Sequence, residues 1–327
     1  MHATVIIPCY RPDRNFEKML ADLNAQTSKD FCVILADDGN NPPLAPRVAE
    51  KLTRPHEVIR FDQNRGIVAG LNACVAQAST PYVIRMDADD RMPPDRIEKQ
   101  LIYMQAHPNI DVAGAAMVVF GSGLRVWSKP TKQSVIKASL LWGPSFNHPT
   151  LIAKSAFMKA NPYPSGFHLA EDYALWLQMS RSGAQMANVR DVLVYYRMEG
   201  QNTSQTVAHL RATRYRDMFK HAVDTLIGQP AAASLHSGID LGCHHVLAGM
   251  VPPDGCKPTT QAVKSYAQTL VQALSCVEDS WVSYAQQDVM KRCRSAQGLG
   301  RWHKLESIWD LRRLRLSAWR VLLSGDL

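Results

Sequence analysis

Apolar and polar positions along the first hundred residues change period repeatedly. Short apolar runs at Thr4 to Pro8, Phe31 to Ala36, Glu57 to Phe61 and Tyr82 to Met86 predict strands. Between them, Asn15 to Ala25, Ile67 to Gln77 and Pro94 to Ala106 repeat their apolar positions at helical spacing. Strands separated by helical segments predict an α/β domain, a parallel sheet covered by helices. From Val112 to about Arg197 the pattern gives three more strands (Val112 to Phe120, Thr150 to Ala153, Val192 to Tyr196). It also gives a strong helix from about Ala170 that places Tyr173, Trp176 and Leu177 at helical spacing. Beyond Ser204 strand alternation stops, and the rest reads as helices interrupted at Gly228-Gln229-Pro230 and at Val251-Pro252-Pro253-Asp254-Gly255. The expected division is 1–204 and a helical 205–327, without internal repeats.

Composition narrows this picture. With 327 residues, 46% of them hydrophobic, the chain suffices for a large α/β domain and an extension. No eighteen-residue apolar window occurs, and Met1-His2-Ala3-Thr4 leads directly into the first strand, so the expected location is the cytoplasm or the inner face of the cytoplasmic membrane. Seven cysteines without a C-x-x-C pair imply reduced thiols, and Cys243-His244-His245 with Cys256 lacks the second paired motif of a zinc site. The formal charge of +8 is uneven: Lys291 to Leu327 holds nine Lys or Arg against three acids, hence +6. Within it, residues 301–320 form a basic amphipathic pattern bordered by tryptophans. That pattern suits an anionic membrane interface, or a terminal helix packed on the domain; nothing in it resembles a nucleic-acid-binding signature.

Ligands of open α/β sheets bind beyond the carboxyl ends of the strands. The polar groups there are Tyr10, the pair Asp37 and Asp38, and the run Asp87, Asp89 and Asp90. Three carboxylates that close repel one another, and a divalent cation with oxygen ligands, shared with a phosphate, offsets the repulsion. The plainer readings are that Asp90 caps the helix before Pro93 and Pro94, that Asp37-Asp38-Gly39-Asn40 is only a turn, and that Glu171 and Asp172 are first-turn helix acids.

Five pieces in order, Val5-Ile6-Ile7-Pro8-Cys9-Tyr10, Ala36-Asp37-Asp38-Gly39, Gln63-Asn64-Arg65-Gly66, Arg85-Met86-Asp87-Ala88-Asp89-Asp90 and Ala170-Glu171-Asp172-Tyr173-Ala174-Leu175-Trp176, resemble the inverting nucleotide-sugar glycosyltransferases of family 2. The resemblance spans about residues 2 to 204 and implies the GT-A fold, with a helical C-terminal extension outside it. It implies that Asp38 accepts from uracil between Pro8 and Tyr10 with Asp37 nearby, and that Asn64, Gly66, Arg85 and Ala88 line the donor. By the same resemblance Asp87 contacts the ribose, Asp89 ligates Mn2+ or Mg2+ on the diphosphate, and Asp172 is the base with Glu171 beside it. Asn147-His148-Pro149-Thr150 also matches, which adds His148, and Tyr196-Arg197-Met198-Glu199 adds Arg197 and Glu199, although many relatives place His where Glu199 stands. The implied activity transfers a hexose or N-acetylhexosamine from a UDP-sugar to a saccharide or lipid-linked acceptor in surface polysaccharide synthesis. Two other classes are weaker. A D-x-D phosphotransferase with Asp87 as nucleophile has Thr or Val where Arg91 stands, and a non-catalytic membrane-docked scaffold does not need Asp87, Asp89 and Asp172 intact.

Overall fold

The run Ala3–Cys9 forms strand β1, and its apolar residues serve two faces in alternation: Val5 and Ile7 on one side, Ile6 on the other. The computed structural model describes residues 1–121, 123–198, 211–228 and 258–297, together with Ala232, Leu235, Cys243, His244, Leu247 and Ala248. After β1 come α1 (Asn15–Asn24), β2 (Phe31–Asp38), α2 (Ala45–Lys51), β3 (His56–Phe61), α3 (Ile67–Gln77), β4 (Tyr82–Arg85) and α4 (Arg96–Ala106). Next are β5 (Val112–Gly121), β6 (Arg125–Trp127), α5 (Gln133–Ser139), a single 3-10 turn at His148–Thr150, β7 (Ile152–Lys154), α6 (Ser155–Ala160), α7 (Glu171–Arg181) and β8 (Met186–Met198). Helices α8 (Arg211–Ile227), α9 (Thr260–Leu274) and α10 (Val282–Gln297) follow.

The strands make one sheet in the order β3-β2-β1-β4-β7-β5-β6, with β8 also paired to β5. Strands β1 to β4 are mutually parallel and β8 is parallel to β5, whereas β7 is antiparallel to both its neighbours and β6 to β5. The parallel sheet predicted from the first hundred residues is present in β1 to β4, and the later strands, to which the sequence pattern gives no direction, make the whole sheet mixed, with β6 and β7 reversed. One face is covered by α1 and α4, whose Phe16, Met19, Leu20, Ile97 and Met104 pack on Val5, Ile7, Val33 and Ile84. The other carries α3 and α7, where Leu71, Cys74, Leu175 and Trp176 meet Ile6, Ile34, Ala36 and Val83. Phe219, Leu270 and Val289 of the last three helices join this second core.

Several local expectations shift. Thr150 belongs to the 3-10 turn rather than to a strand, because its hydroxyl donates to the Asn147 carbonyl (2.7 Å) and accepts the Ala115 N–H (2.8 Å). Helix α4 begins two residues after Pro94, whose carbonyl accepts the Thr27 N–H at 2.8 Å. Strand β8 starts six residues before Val192, and register shifts opposite Gly114 to Met117 carry it along β5. Cys243 and His244 are core residues, the His244 ring stacked on Trp142 at 5.3 Å, whereas His245, Cys256, Glu199 and the basic segment 301–320 lie outside the described residues. Among the described residues no helix is long and apolar enough to cross a membrane, and six cysteines are free thiols.

Candidate active site

The ends of β1 and β2 are fastened by Asp37. Its side chain has no solvent exposure; Oδ1 accepts the Asn40 N–H (3.0 Å) and Nδ2 (2.7 Å), while Oδ2 accepts the Leu44 N–H (2.9 Å) and Arg60 Nη1 (2.8 Å). Burial pushes this carboxyl up, but the donors from Leu44, Asn40 and Arg60 together outweigh it and hold it below the usual carboxylate range. Asn40 passes the link to β1 by donating to the Cys9 carbonyl (2.9 Å) and accepting the Arg11 N–H (2.6 Å). Asp37 thus holds the β1 and β2 ends together from inside, where the family resemblance puts it near the donor.

Asp38 turns the other way, onto the loop before α3. Oδ1 accepts the Arg65 N–H (2.6 Å), and Oδ2 accepts Asn64 Nδ2 (2.8 Å) and the Gly66 N–H (2.9 Å). A carboxylate oxygen has two lone pairs, so Oδ1, with one protein donor, keeps capacity for one further donor. Gly39 makes the approach possible: its φ is +76°, and a Cβ there would lie 2.6 Å from the backbone of Gln63 and Asn64. Pro8 is half-buried, and Tyr10 is exposed with the Arg11 guanidinium 4.9 Å from its ring centre. The first three motifs therefore meet at one strand-end surface.

The fourth motif is built around two buried arginines. Arg85, at the end of β4, makes a two-pronged ion pair with Asp87 (Nη1 to Oδ2, 2.5 Å). Arg96 on α4, with no exposure, donates to the carbonyls of Arg85 (2.6 Å) and Pro149 (2.7 Å). Burial first, then the Arg85 charge, pushes Arg96 down to about 9, against the pull of Asp90 and Asp87. Gln100, one turn later, bonds the Thr150 carbonyl (2.7 Å), so the acidic strand end and the His148–Thr150 turn are held as one piece. Neither residue is singled out by the sequence motifs; the signal available was two polar residues four apart beside the apolar stripe Ile97, Leu101 and Met104.

The carboxylates differ in access. Ala88, half-buried, packs on the α1 and α4 side. The Asp89 side chain is 40% exposed and pairs through Oδ2 with Arg197 Nη2 at 3.1 Å. Asp90 is fully buried; its Oδ1 accepts the Arg197 N–H (3.0 Å), and its Oδ2 has no partner. It caps no helix, since Asp95 precedes α4 and makes no side-chain cap bond. Burial, then the charges of Asp87 and Asp89, pushes Asp90 well above its ordinary value; burial and Asp87 raise Asp89, with Arg197 opposing. Among the described residues no three His, Cys, Asp or Glu side chains form a metal cage. An all-oxygen cluster with surplus negative charge and an orphaned buried carboxylate oxygen still fits Mg2+ or Mn2+, provided ligands from outside the protein, such as phosphate oxygens, complete the shell.

Across from these groups, α7 presents Glu171 and Asp172 in its first turn. Asp172 Oδ1 accepts the N–H of Tyr173 (2.7 Å). Burial raises the Asp172 carboxyl above its ordinary value, while the Tyr173 N–H, Arg85 and Lys129 pull it back. Glu171 is raised by burial and then by the Asp172 charge, and its Oε2 is buried without a partner. His148 bonds the Tyr163 hydroxyl through Nε2 (2.8 Å); burial, then Arg85, pushes it well below its ordinary value, so it is a neutral support. Asn72 of α3 clamps the Tyr163 backbone on both sides (2.8 and 2.9 Å). The charge of Arg85 acts on Asp87, Asp90, Glu171, Asp172, Tyr163 and His148, so the acids of β4 and α7 share one positive neighbour.

The chain as a whole has known counterparts. The profile described as "Glycosyl transferase family 2" matches residues 4–159. The amylovoran biosynthesis glycosyltransferase AmsE of Erwinia amylovora is 30% identical over 204 residues, covering 59% of this chain and 75% of AmsE. Residues 1–349 of S. aureus TarS in complex with UDP-GlcNAc superpose with a TM-score of 0.56 at 16% identity, covering 91% of each chain. The mannosyltransferase PcManGT from Pyrobaculum calidifontis, in complex with GDP-Man and Mn2+, gives a TM-score of 0.53 at 15% identity, covering 93% of this chain and 88% of that one. On the profile match, the AmsE identity and the GT-A fold that its sheet shares with both solved structures, the chain belongs to glycosyl transferase family 2.

Proposed function

We propose that the chain transfers a hexose or N-acetylhexosamine from a UDP-sugar, with inversion, to a saccharide or lipid-linked acceptor during surface polysaccharide synthesis. The amylovoran role in the name of AmsE supports the pathway class, and UDP-GlcNAc in TarS supports a uridine donor. GDP-Man in PcManGT makes a guanine nucleotide the competing donor class. The observation that carries the reading is Asp172: a half-buried carboxylate at a helix start, with its pKa raised, standing apart from the β4 acids yet sharing Arg85 with them.

Each group then has a task. Asp38 takes a base N–H between Pro8 and Tyr10, with Asn64 and Gly66 framing it; Asp87, held in one orientation by Arg85, takes the ribose hydroxyls. Asp89 would hold Mn2+ or Mg2+ together with the diphosphate; the bound metal offsets the charge on the departing nucleoside diphosphate. Asp172 accepts the proton of the acceptor hydroxyl as its oxygen bonds the anomeric carbon and the bond to the phosphate oxygen breaks on the opposite face. A raised pKa makes Asp172 a better proton acceptor than an ordinary aspartate. Glu171, half-buried with its Oε2 buried and unbonded, orients the acceptor. The Arg85 fork on Asp87 works against a phosphotransferase reading, because a carboxylate so held is a poor nucleophile.

The test is Asp172→Asn, assayed for UDP binding by calorimetry with Mn2+ and for turnover of a UDP-sugar panel. Binding should stay within twofold while turnover falls about 10²- to 10⁴-fold. Near wild-type turnover would place the base elsewhere. The basic segment 301–320 is proposed to dock on anionic lipid, so chain lacking 301–327 should no longer sediment with phosphatidylglycerol vesicles. Undiminished sedimentation removes that proposal.

A further inference from the structure

Arg197 reaches the acid cluster from the end of β8. Its N–H goes to Asp90 Oδ1 (3.0 Å), its Nε to the Asp89 carbonyl (3.3 Å), and its Nη2 to Asp89 Oδ2 (3.1 Å) and Asp13 Oδ2 (2.8 Å). The strand end that delivers it is pinned in turn. Arg91 and Tyr195 exchange backbone hydrogen bonds of 3.1 and 2.8 Å, and the Arg91 fork closes on Asp22 at 2.6 and 2.8 Å. With its side chain only 13% exposed, Arg197 is not a loose surface partner of the kind that contributes nothing.

A guanidinium and a divalent cation seek the same carboxylate lone pairs. The oxygen that Arg197 holds belongs to Asp89, the residue assigned above to the metal. We infer that Arg197 is a built-in counter-cation: it occupies Asp89 while the metal is absent and yields Asp89 when metal and donor diphosphate arrive together, staying anchored on Asp13. The inference rests on the reading of Asp89 as metal ligand and adds an order of events to it. Metal alone must displace Arg197 from Asp89 without new anionic ligands in return, so it binds weakly. Metal with a nucleoside diphosphate gains the phosphate oxygens in the same step, so the two ligands favour each other's binding. Asp13 and Asp89 divide one guanidinium, which gives two substitutions opposite signs.

The experiment is titration of the full chain with Mn2+, free ion read by electron paramagnetic resonance, without and with UDP. Without UDP, Arg197→Gln should tighten Mn2+ about tenfold, because the competitor is gone. Asp13→Asn should weaken it roughly threefold, because the guanidinium then loses the carboxylate that competes with Asp89 for it. Arg197→Lys should stay close to wild type, since a positive charge remains. Unchanged or weaker Mn2+ binding in Arg197→Gln overturns the inference. If that variant does not fold, unchanged or tighter Mn2+ binding in Asp13→Asn overturns it equally. Wild-type chain that takes up no Mn2+ even with UDP removes the metal reading of Asp89 and this inference with it. Mn2+ uptake that UDP strengthens, with the two variants failing to move in opposite directions, leaves the metal reading standing and overturns the inference alone.

Discussion

Replacing Asp37 by alanine should unfold the junction between the ends of β1 and β2 before it changes any chemistry. The deletion strips the acceptor from the buried backbone N–H groups of Asn40 and Leu44, and one of two acceptors from Asn40 Nδ2, which keeps the Cys9 carbonyl. Each buried donor left without a partner costs about 1–3 kcal/mol, less where water or a backbone shift relieves it. Arg60, whose side chain is 39% exposed, finds water and adds little. The sum is a loss of about 3–5 kcal/mol, a large part of the roughly 5–15 kcal/mol that holds an ordinary domain. Asp37→Asn keeps one acceptor in place and should lose roughly half as much. The pH dependence fixes the sign independently. A carboxyl held below its unfolded value contributes stability that is fully present above the unfolded pKa and is lost as pH falls through the folded one. The wild type therefore surrenders this contribution in acid, and the gap between wild type and Asp37→Ala should narrow below about pH 4. Urea unfolding at neutral pH and at several acidic values measures both quantities. A neutral-pH loss under about 1 kcal/mol, or a gap that ignores pH, would refute the reasoning.

Other substitutions probe the remaining contacts. Gly39→Ala forces a Cβ to within 2.6 Å of the Gln63 and Asn64 backbone at a positive φ, so thermal unfolding should show at least about 2 kcal/mol of destabilisation and UDP affinity should fall; a wild-type melting curve excludes the close approach. Because burial raises Asp172, the acid limb of the kcat profile should lie above the ordinary aspartate range, and Lys129→Met, which removes a charge that pulls it down, should move the limb higher still. A stationary limb in Lys129→Met separates Lys129 from Asp172. Tyr163→Phe removes the hydroxyl that His148 bonds, with an expected loss of about 1 kcal/mol in urea and no change in the pH profile; a new limb near neutrality would make His148 a titrating participant.

The elements most legible in the sequence are those with enough residues to show a period. Helix α3 runs from Ile67 to Gln77 as its pattern indicates, and β1, β2 and β5 lie within two residues of their apolar runs. The helices α2, α5 and α6 and the strand β6 have seven residues or fewer, too few for periodicity to separate them from loops. The reversal of β7 was not legible either, because three residues, Ile152 to Lys154, carry no mark of direction; β4 on one side and β5 on the other decide it. At the site, local motifs located the acids but not their partners. Adjacent Asp37 and Asp38 look interchangeable as letters, yet the strand alternation sends one into the β1 junction and the other onto the α3 loop. The Arg197 pairing with Asp89 bridges 108 residues and the Arg96 bond to Pro149 bridges 53, and single-sequence spacing does not reach so far.

The insertion of β7 between β4 and β5 also bears on how the molecule is made. Strand β4, which ends in Arg85, finds its second neighbour only when residues 152–154 have left the ribosome, and the carbonyls of Leu151 and Pro149 that receive Arg85 and Arg96 come with it. A nascent chain that has reached only α4 would show a bare, apolar β4 edge, the kind of template on which strands from other chains assemble. The half of the sheet from β1 to β4 is thus complete in motifs long before it is complete in hydrogen bonds. Splitting the chain after α4 would separate a binding surface from the strand that closes it, so biogenesis favours keeping both halves on one polypeptide.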